Sequence, residues 1–291
     1  MEAIIFCITK LISAVHNYCK ISKAEKVRYY SEIFRARPFN IHCSRQQRIS
    51  SLCELMEEVE EELLNGKQKA GNADQKLGTI VELAQREGGF GSDQTRRKIW
   101  RLLSEQFAET HMYEEVLSRP TFQDIISHKE FDQVQADVRR TLLRFPPNTT
   151  DSDRHELLEA LTPLIIKVLI AYPEARYYQG FHDICLTVLL VLGPTDALFV
   201  SYNLAKNFFS RFLEQPMEYA SEHLERIYMI VANEDWYLYD HLVSNEVPII
   251  FALSWIITWF SHDLKHYESI TRLFDFFMAS HKNGDYFTGF D

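Results

Sequence analysis

The stretch YYQGFHDICLTVLLVL, residues 177–192, indicates most clearly how this chain folds. A polar turn at 177–180 leads at once into the apolar segment 181–192, which we interpret as a helix. The 291 residues include only 10 glycines and 9 prolines, about half of the usual combined share of these residues. Few turns and long regular elements are therefore expected, and the sequence predicts an all-α protein.

On both sides of this stretch, apolar residues recur at helical spacing and short polar loops separate the segments. The pattern predicts helices at 93–107, 130–144, 154–171, 181–192, 196–213, 217–232, 235–244, 247–261 and 266–280. Pro163 interrupts the third of these, and it either kinks the helix or starts a new one with Thr162 as its cap. No repeat with a period of about 20 to 50 residues is present, so an irregular helical domain is favoured over a solenoid.

Three glycines between residues 87 and 92 mark a break in the helical pattern. The cluster matches neither GxGxxG nor GxxxxGK[ST], and no strand precedes it, so we expect an interhelix loop and no nucleotide bound by this chain. Ser92 or Asp93 can cap the helix that follows.

This break suggests three parts of the chain. Residues 1–50 form a poorly defined leader, 51–88 a helical lead-in and 89–291 the main domain. The second helix of the lead-in carries a row of apolar side chains on one side: Leu77, Ile80, Val81 and Ala84.

Composition disfavours several classes of protein. The 31 Lys and Arg residues against 41 Asp and Glu residues give a net charge of −10, which disfavours nucleic-acid binding. The five cysteines contain no CxxC pair, so neither a disulfide framework nor a zinc ribbon is indicated. The most apolar run, 247–260, is too short to cross a bilayer, and we expect a buried core helix there and no transmembrane segment in this chain.

A helix at 130–144 would display one arginine. At about 100° per residue, one face carries the apolar side chains Phe131, Val134, Val138 and Leu142. Arg140 points away from that face, and Asp137, three residues earlier, can form an ion pair that fixes its guanidinium. By itself, however, an exposed arginine is usually an ordinary surface residue.

Three short motifs occur in order along the chain. They are RxxxW at Arg96 to Trp100, IxxDxxR at Val134 to Arg140 with Val in place of Ile, and YxQG at Tyr177 to Gly180. In this combination, residues 90–280 resemble the TBC-domain GTPase-activating proteins for Rab GTPases. The resemblance implies an all-α, V-shaped domain.

The resemblance also implies how the protein acts. Arg140 and Gln179 would enter the nucleotide site of a GTP-bound Rab GTPase as an arginine finger and a glutamine finger. The chain would then be a GTPase activator and not itself an enzyme, and the GTP and magnesium ion would belong to the partner, with no cofactor of its own. Supporting roles are implied for five further residues: Asp137, Tyr177 and Gly180 at the fingers, and Arg96 and Trp100 in the framework.

The chain departs from the family after His281, where the apolar period is lost although such domains continue into further helices. We therefore expect a TBC domain that is incomplete at its C-terminal end. The alternative function is that of a catalytically impaired, truncated isoform that binds Rab GTPases or acts as a scaffold. The resemblance places the protein in the cytoplasm, peripheral to endoplasmic reticulum or Golgi membranes of the early secretory pathway, with any longer form anchored in the membrane.

A metal site is the remaining alternative. His262 and His266 are four residues apart and could share a helix face, but no third ligand is evident. We expect these histidines to be polar caps at a helix junction and predict no metal.

Overall fold

The computed structural model describes residues 78, 80–81, 83–84, 88–107, 119–141, 145–146, 149–214 and 216–280. Within these ranges every regular element is a helix, which confirms the all-α class for this part of the chain. The predicted leader, most of the lead-in, four of the five cysteines and the segment after residue 280 lie outside the described residues.

Most of the described residues lie in helices. In chain order they are α1 (Asp93–Phe107), α2 (Phe122–Ile126), α3 (Phe131–Arg140), α4 (Asp151–Ala171), α5 (Phe181–Leu192), α6 (Pro194–Asn207), α7 (Ser210–Glu214), α8 (Pro216–Glu234), α9 (Trp236–Ser244), a 3-10 helix (Ile249–Ala252), α10 (Leu253–Ile257) and α11 (Tyr267–Ser280). No helix within the described ranges combines the length and the hydropathy needed to span a membrane.

Helix α5 is the centre of the main core. All of its residues except Leu190 are buried, and it packs against α1, α3, α4 and α6. A helix that is apolar all round is stable only when other elements surround it, which explains why the others collect here. Cys185 lies fully buried within α5, where burial raises the pKa of its thiol, so it behaves as a small core residue.

A second, smaller core lies between α8, α9, the 3-10 helix and α10. Its buried members are Leu224, Ile227, Val231, Leu238, Leu242, Ile249, Ala252 and Trp255. Three partly buried side chains, Leu253, Ile256 and Phe260, pack against both cores. Of the apolar row predicted in the lead-in, Ile80, Val81 and Ala84 are buried in the main core together with α1, and Leu77 lies outside the described residues.

The predicted helix 196–213 is wrong as a single element. Helix α6 ends at Asn207, and α7 begins at Ser210. The break places the fully buried ring of Phe209 against Phe181 and Trp259. Packing of one aromatic side chain therefore ends a helix that the apolar pattern would continue.

The predicted helix 247–261 is also wrong. The 3-10 helix leads into α10, which ends at Ile257. Trp259 and Phe260 then adopt positive φ angles of 47° and 62°. This turn buries Trp259 against aromatic rings of the main core: Phe208, Phe209, Phe274 and Phe277. The run is not uniformly buried, since Ile250 is 52% exposed.

Helix α4 differs from the prediction in two ways. Helix α4 runs unbroken through Pro163, so a new helix capped by Thr162 does not form. It begins earlier than predicted because the Thr150 side chain accepts a hydrogen bond from the Asp153 backbone N–H. The short α2 was not predicted, although Thr121 and Asp124 form the same kind of capping box.

Asp275 of α11 holds the two ends of the described domain together. Its buried carboxylate accepts hydrogen bonds from Arg96 Nε at 3.0 and 3.1 Å, from Trp100 Nε1 at 2.9 Å and from the Phe90 backbone N–H at 3.0 Å. Gly89 lies so close that a Cβ there would be 2.5 Å from the carboxylate. Residues of the glycine cluster and of the RxxxW motif therefore surround one buried ion pair, Arg96–Asp275.

The Arg96 guanidinium keeps its charge although it is buried. Burial alone would lower the pKa of Arg96, but the adjacent Asp275 and Asp93 raise it.

We predict that Asp275→Asn lowers the free energy of unfolding by about 3–5 kcal/mol, because the buried Arg96 charge loses the fully buried one of its two carboxylate partners and keeps only the more exposed Asp93. Urea denaturation followed by circular dichroism measures this. The control is Glu105→Gln, which removes the more exposed Arg101–Glu105 ion pair and should cost less than about 1 kcal/mol. Equal losses in the two variants would contradict the prediction.

Candidate functional site

Arg140 is the last residue of α3 and is displayed to solvent, as predicted. Val134 and Val138 are buried on the opposite face, whereas 71% of the Arg140 side chain is exposed. Leu142, the fourth apolar residue of the predicted face, lies outside the described residues.

The predicted continuation of this helix is wrong at Thr141, and residues 142–144 lie outside the described residues. Helix α3 stops at Arg140 because Thr141 closes it: the Thr141 backbone N–H bonds to the Val138 carbonyl, and its hydroxyl donates to the Asp137 carbonyl at 2.9 Å. Thr141 is itself buried. The helix end, and Arg140 with it, is therefore fixed by local hydrogen bonds.

The Arg140 guanidinium is oriented by two contacts within α3. Its Nη2 lies 3.0 Å from Asp137 Oδ1, and its Nε donates to the Ala136 carbonyl at 3.1 Å. The predicted Asp137–Arg140 ion pair is thus confirmed. Because Nε and Nη2 are both held, the opposite edge of the guanidinium faces away from the helix.

Asp137 connects α3 to the segment before α5. It is 4% exposed, and its second oxygen, Oδ2, accepts a hydrogen bond from the Tyr177 hydroxyl at 3.1 Å. Burial and the neighbouring Asp137 charge raise the pKa of Tyr177, so the hydroxyl keeps its proton and can donate it. One carboxylate therefore contacts both Arg140 and a residue two positions before Gln179.

The segment 177–180 is held on both sides of Gln179. The Tyr178 hydroxyl donates to the Ile257 carbonyl at 2.7 Å, and its ring is buried beside Phe181. Gly180 has a φ of 125°, which side chains other than hydrogen rarely tolerate, and a Cβ there would lie 2.9 Å from Thr258 Cγ2. The predicted role of Gly180 in the turn agrees with this geometry.

Gln179 is exposed between these anchored neighbours. No hydrogen bond joins its side chain to another of the described residues. Its carboxamide is therefore presented to solvent from a backbone that is fixed on each side. This is the arrangement that a group acting on a second molecule requires, since the main chain is positioned in advance.

Two buried polar residues that we did not predict, His182 and Asp183, lie directly behind the turn. His182 Nδ1 is 2.8 Å from the Tyr177 hydroxyl, and Asp183 Oδ2 is 2.9 Å from His262 Nδ1. His182 and Asp183 are buried in the first turn of α5. The signal in the sequence was a His-Asp pair inside an otherwise apolar helix, where each polar side chain needs a partner.

His262 and His266 lie at the junction between α10 and α11, where we expected polar caps, and they do not share a helix face. His262 lies in the turn after α10, where it contacts Asp183, and His266 precedes α11. In the described ranges, no group of three or more His, Cys, Asp or Glu side chains is placed to hold a metal ion. Arg96 and Trp100 lie at α1 against Asp275, where they stabilise the fold and do not join Arg140.

Comparison with known proteins gives a match over most of the domain. The model of the family described as the Rab-GTPase-TBC domain matches residues 93–288. TBC1 domain family member 20 of Mus musculus is 37% identical over 206 residues, which are 70% of this chain and 50% of that protein. The GTPase-activating protein gyp10 of Schizosaccharomyces pombe is 32% identical over 203 residues, 70% of this chain and 53% of that protein. The chain thus spans about half the length of these relatives.

A solved structure has a similar fold. The crystal structure of the Chlamydomonas flagellar RabGAP TBC domain superimposes with a TM-score of 0.54 at 13% identity, covering 83% of this chain and 79% of that one. At this level of identity, the likeness concerns the fold alone.

We predict that Gly180→Ala destabilises the protein by about 1–3 kcal/mol through backbone strain, and by more through the contact with Thr258. The double variant Gly180→Ala/Thr258→Ser removes the methyl group and keeps the hydroxyl that donates to the Ser254 carbonyl. Compared with Thr258→Ser alone, the double variant should lose only the part of the free energy of unfolding that comes from backbone strain at residue 180. Urea denaturation of the variants measures the backbone and the steric contributions. A Gly180→Ala protein as stable as wild type would refute the role of Gly180 in the turn.

Proposed function

This chain belongs to the Rab-GTPase-TBC domain family, and on that premise we propose that it is a GTPase-activating protein for a Rab GTPase of the early secretory pathway. In this proposal Arg140 and Gln179 enter the nucleotide site of the GTP-bound partner as two fingers. The chain then completes the active site of the partner and carries none of its own.

The chemistry of GTP hydrolysis explains why these residue types fit. The barrier depends on negative charge that spreads over the oxygens of the transferred phosphoryl group and on the orientation of the attacking water. Arg140 supplies a permanent planar cation with several donors for those oxygens. Gln179 can accept from the water with its carbonyl and donate with its amide, which a charged side chain could not do at once.

One observation carries the proposal. The Asp137 carboxylate contacts Arg140 through Oδ1 and Tyr177 through Oδ2, so the exposed arginine and the turn that carries the exposed glutamine are joined by a single buried group. A protein that only bound its partner would have no need to hold both groups in this way. The GTP and magnesium ion are supplied by the partner in this proposal, and the site on this chain consists of side chains only.

We predict that Arg140→Ala lowers the maximal rate of stimulated GTP hydrolysis by about 10³- to 10⁵-fold, the range for arginine fingers. Arg140→Lys should fail as well, because an ammonium group lacks the planar fork. The measurement is phosphate release by a purified cognate Rab GTPase under single-turnover conditions. Arg139→Ala is the matched control, because Arg139 is the exposed neighbour on the same helix and should leave the rate unchanged. Full activity of Arg140→Ala would end the finger assignment.

For Gln179→Ala we predict a smaller loss, of roughly 10²- to 10³-fold, as for the removal of one positioned donor elsewhere. The free energy of unfolding should stay within about 0.5 kcal/mol of wild type, because the side chain is exposed. If Gln179→Ala instead lowered the free energy of unfolding well beyond this limit, the loss of activity would reflect a role of Gln179 in the fold.

The identity of the partner is tested with a panel of purified Rab GTPases. Binding and phosphate release are measured side by side for each GTP-loaded protein. Stimulated hydrolysis by a Rab GTPase of the early secretory pathway supports the proposal. Binding without stimulated hydrolysis for every member identifies the chain as a Rab-binding module, the alternative function.

A further inference from the structure

Two stretches of the chain contact each other beside Gln179. The first is segment 178–183, and the second is segment 257–262, which begins at the last residue of α10. Three contacts join them in the same order along both stretches: the Tyr178 hydroxyl donates to the Ile257 carbonyl at 2.7 Å, Gly180 packs so closely on Thr258 that a Cβ would lie 2.9 Å from its Cγ2, and Asp183 Oδ2 lies 2.9 Å from His262 Nδ1. Gln179 lies between the first two of these contacts.

Segment 257–262 is itself held firmly. The Thr258 hydroxyl donates to the Ser254 carbonyl at 2.5 Å and accepts from the His262 backbone N–H at 3.2 Å. The Trp259 ring is buried against aromatic rings of the main core. A residue that bonds to this segment is therefore tied to a fixed part of the fold.

The contact of Tyr178 bears most directly on Gln179, because the two residues are adjacent in the chain. The Ile257 carbonyl is one of the last four of α10, which have no partner within the helix. The Tyr178 hydroxyl lies at the end of a buried ring and needs an acceptor there. Burial raises the pKa of Tyr178, so the hydroxyl keeps the proton that it donates. The hydrogen bond therefore satisfies both groups and fixes the turn against the end of α10.

Arg140 is held by a different set of contacts. Its guanidinium contacts Asp137, which accepts a hydrogen bond from the Tyr177 hydroxyl. Tyr177 and Tyr178 thus fix neighbouring residues of the turn against two different elements, α3 and the end of α10. Loss of the Tyr178 hydroxyl should loosen Gln179 and leave the contacts of Arg140 in place.

We propose that Tyr178 is a positioning residue for Gln179, acting through its hydrogen bond to the Ile257 carbonyl. The Gln179 side chain is exposed, so its place relative to a second molecule depends on the backbone that carries it. A carboxamide on a moving backbone spends less time in the reactive geometry, which lowers the rate without weakening the binding of the partner. The effect on the rate rests on the proposed function, whereas the effect on the backbone does not.

Two matched substitutions test the hydroxyl group. Tyr178→Phe removes it and keeps the buried ring. Tyr228→Phe is the control, because the Tyr228 hydroxyl also donates to a main-chain carbonyl, that of Val247, at 2.7 Å beside the smaller core. Each variant loses one hydrogen bond of the same kind, and only Tyr178→Phe should affect Gln179.

The first readout uses the protein without any partner. Nuclear magnetic resonance relaxation measures the order parameter of the Gln179 backbone amide in protein isotopically labelled at glutamine, with the signal identified through Gln179→Ala. The order parameter should be about 0.85 in wild type and in Tyr228→Phe, and should fall toward about 0.6 in Tyr178→Phe. A wild-type value in Tyr178→Phe would overturn the inference. An equal fall in both variants would also contradict it, because the motion would then follow from a general loss of stability.

The second readout is kinetic and uses a Rab GTPase that the wild-type protein activates. Tyr178→Phe should lower the maximal rate by roughly 10- to 100-fold, the cost of a misplaced group, with the KM for the GTP-bound partner unchanged. Tyr228→Phe should keep the wild-type rate. The double variant Tyr178→Phe/Gln179→Ala should be no slower than Gln179→Ala alone, because the positioned group is already absent. A further loss in the double variant would show that Tyr178 acts by another route.

The two readouts fail separately. A loosened Gln179 backbone in Tyr178→Phe, together with a wild-type protein that activates no Rab GTPase, would refute the proposed function and support the positioning of Gln179 by Tyr178. Stimulated hydrolysis that Tyr178→Phe leaves at the wild-type rate would refute the role of Tyr178 in catalysis and support the proposed function.

Discussion

The site depends on the sharing of one buried carboxylate between two parts of the chain. Asp137 binds Arg140 within its own helix and Tyr177 from the segment before α5. A carboxylate this deeply buried is costly unless its oxygens are satisfied, so both contacts are required and each fixes the other. The exposed cation and the exposed carboxamide consequently belong to one rigid arrangement, although 38 residues separate Arg140 from Gln179 in the chain.

A second buried carboxylate serves the fold in a similar way. Asp275 gathers Arg96, Trp100 and the Phe90 backbone, and its arginine is almost fully buried. The contrast with Arg140 is instructive, because the two arginines have similar partners and opposite exposures. Where the guanidinium is enclosed, the pair joins α1 to α11. Where most of it stays in solvent, the pair leaves donors free for another molecule.

The sequence predicted those features that depend on local periodicity. The apolar face of α3, the exposure of Arg140 and its ion pair with Asp137 all follow from angles along one helix. The helix breaks at Phe209 and Trp259 did not, because they arise from packing between aromatic rings that are distant in sequence. Asp183 was missed for a similar reason, since its partner His262 is 79 residues away in the chain. His182 contacts Tyr177 in the turn directly before α5, which the helical period does not describe.

To act as fingers, Arg140 and Gln179 must reach the nucleotide of a second protein. The most direct measurement is a crystal structure of this chain bound to a Rab GTPase that holds GDP and aluminium fluoride, which imitates the transferred phosphoryl group. We expect the Arg140 guanidinium and the Gln179 carboxamide to lie within about 3 Å of the fluoride or of the attacking water. A complex in which the partner's nucleotide faces another surface of this chain, with both side chains still in solvent, would contradict it.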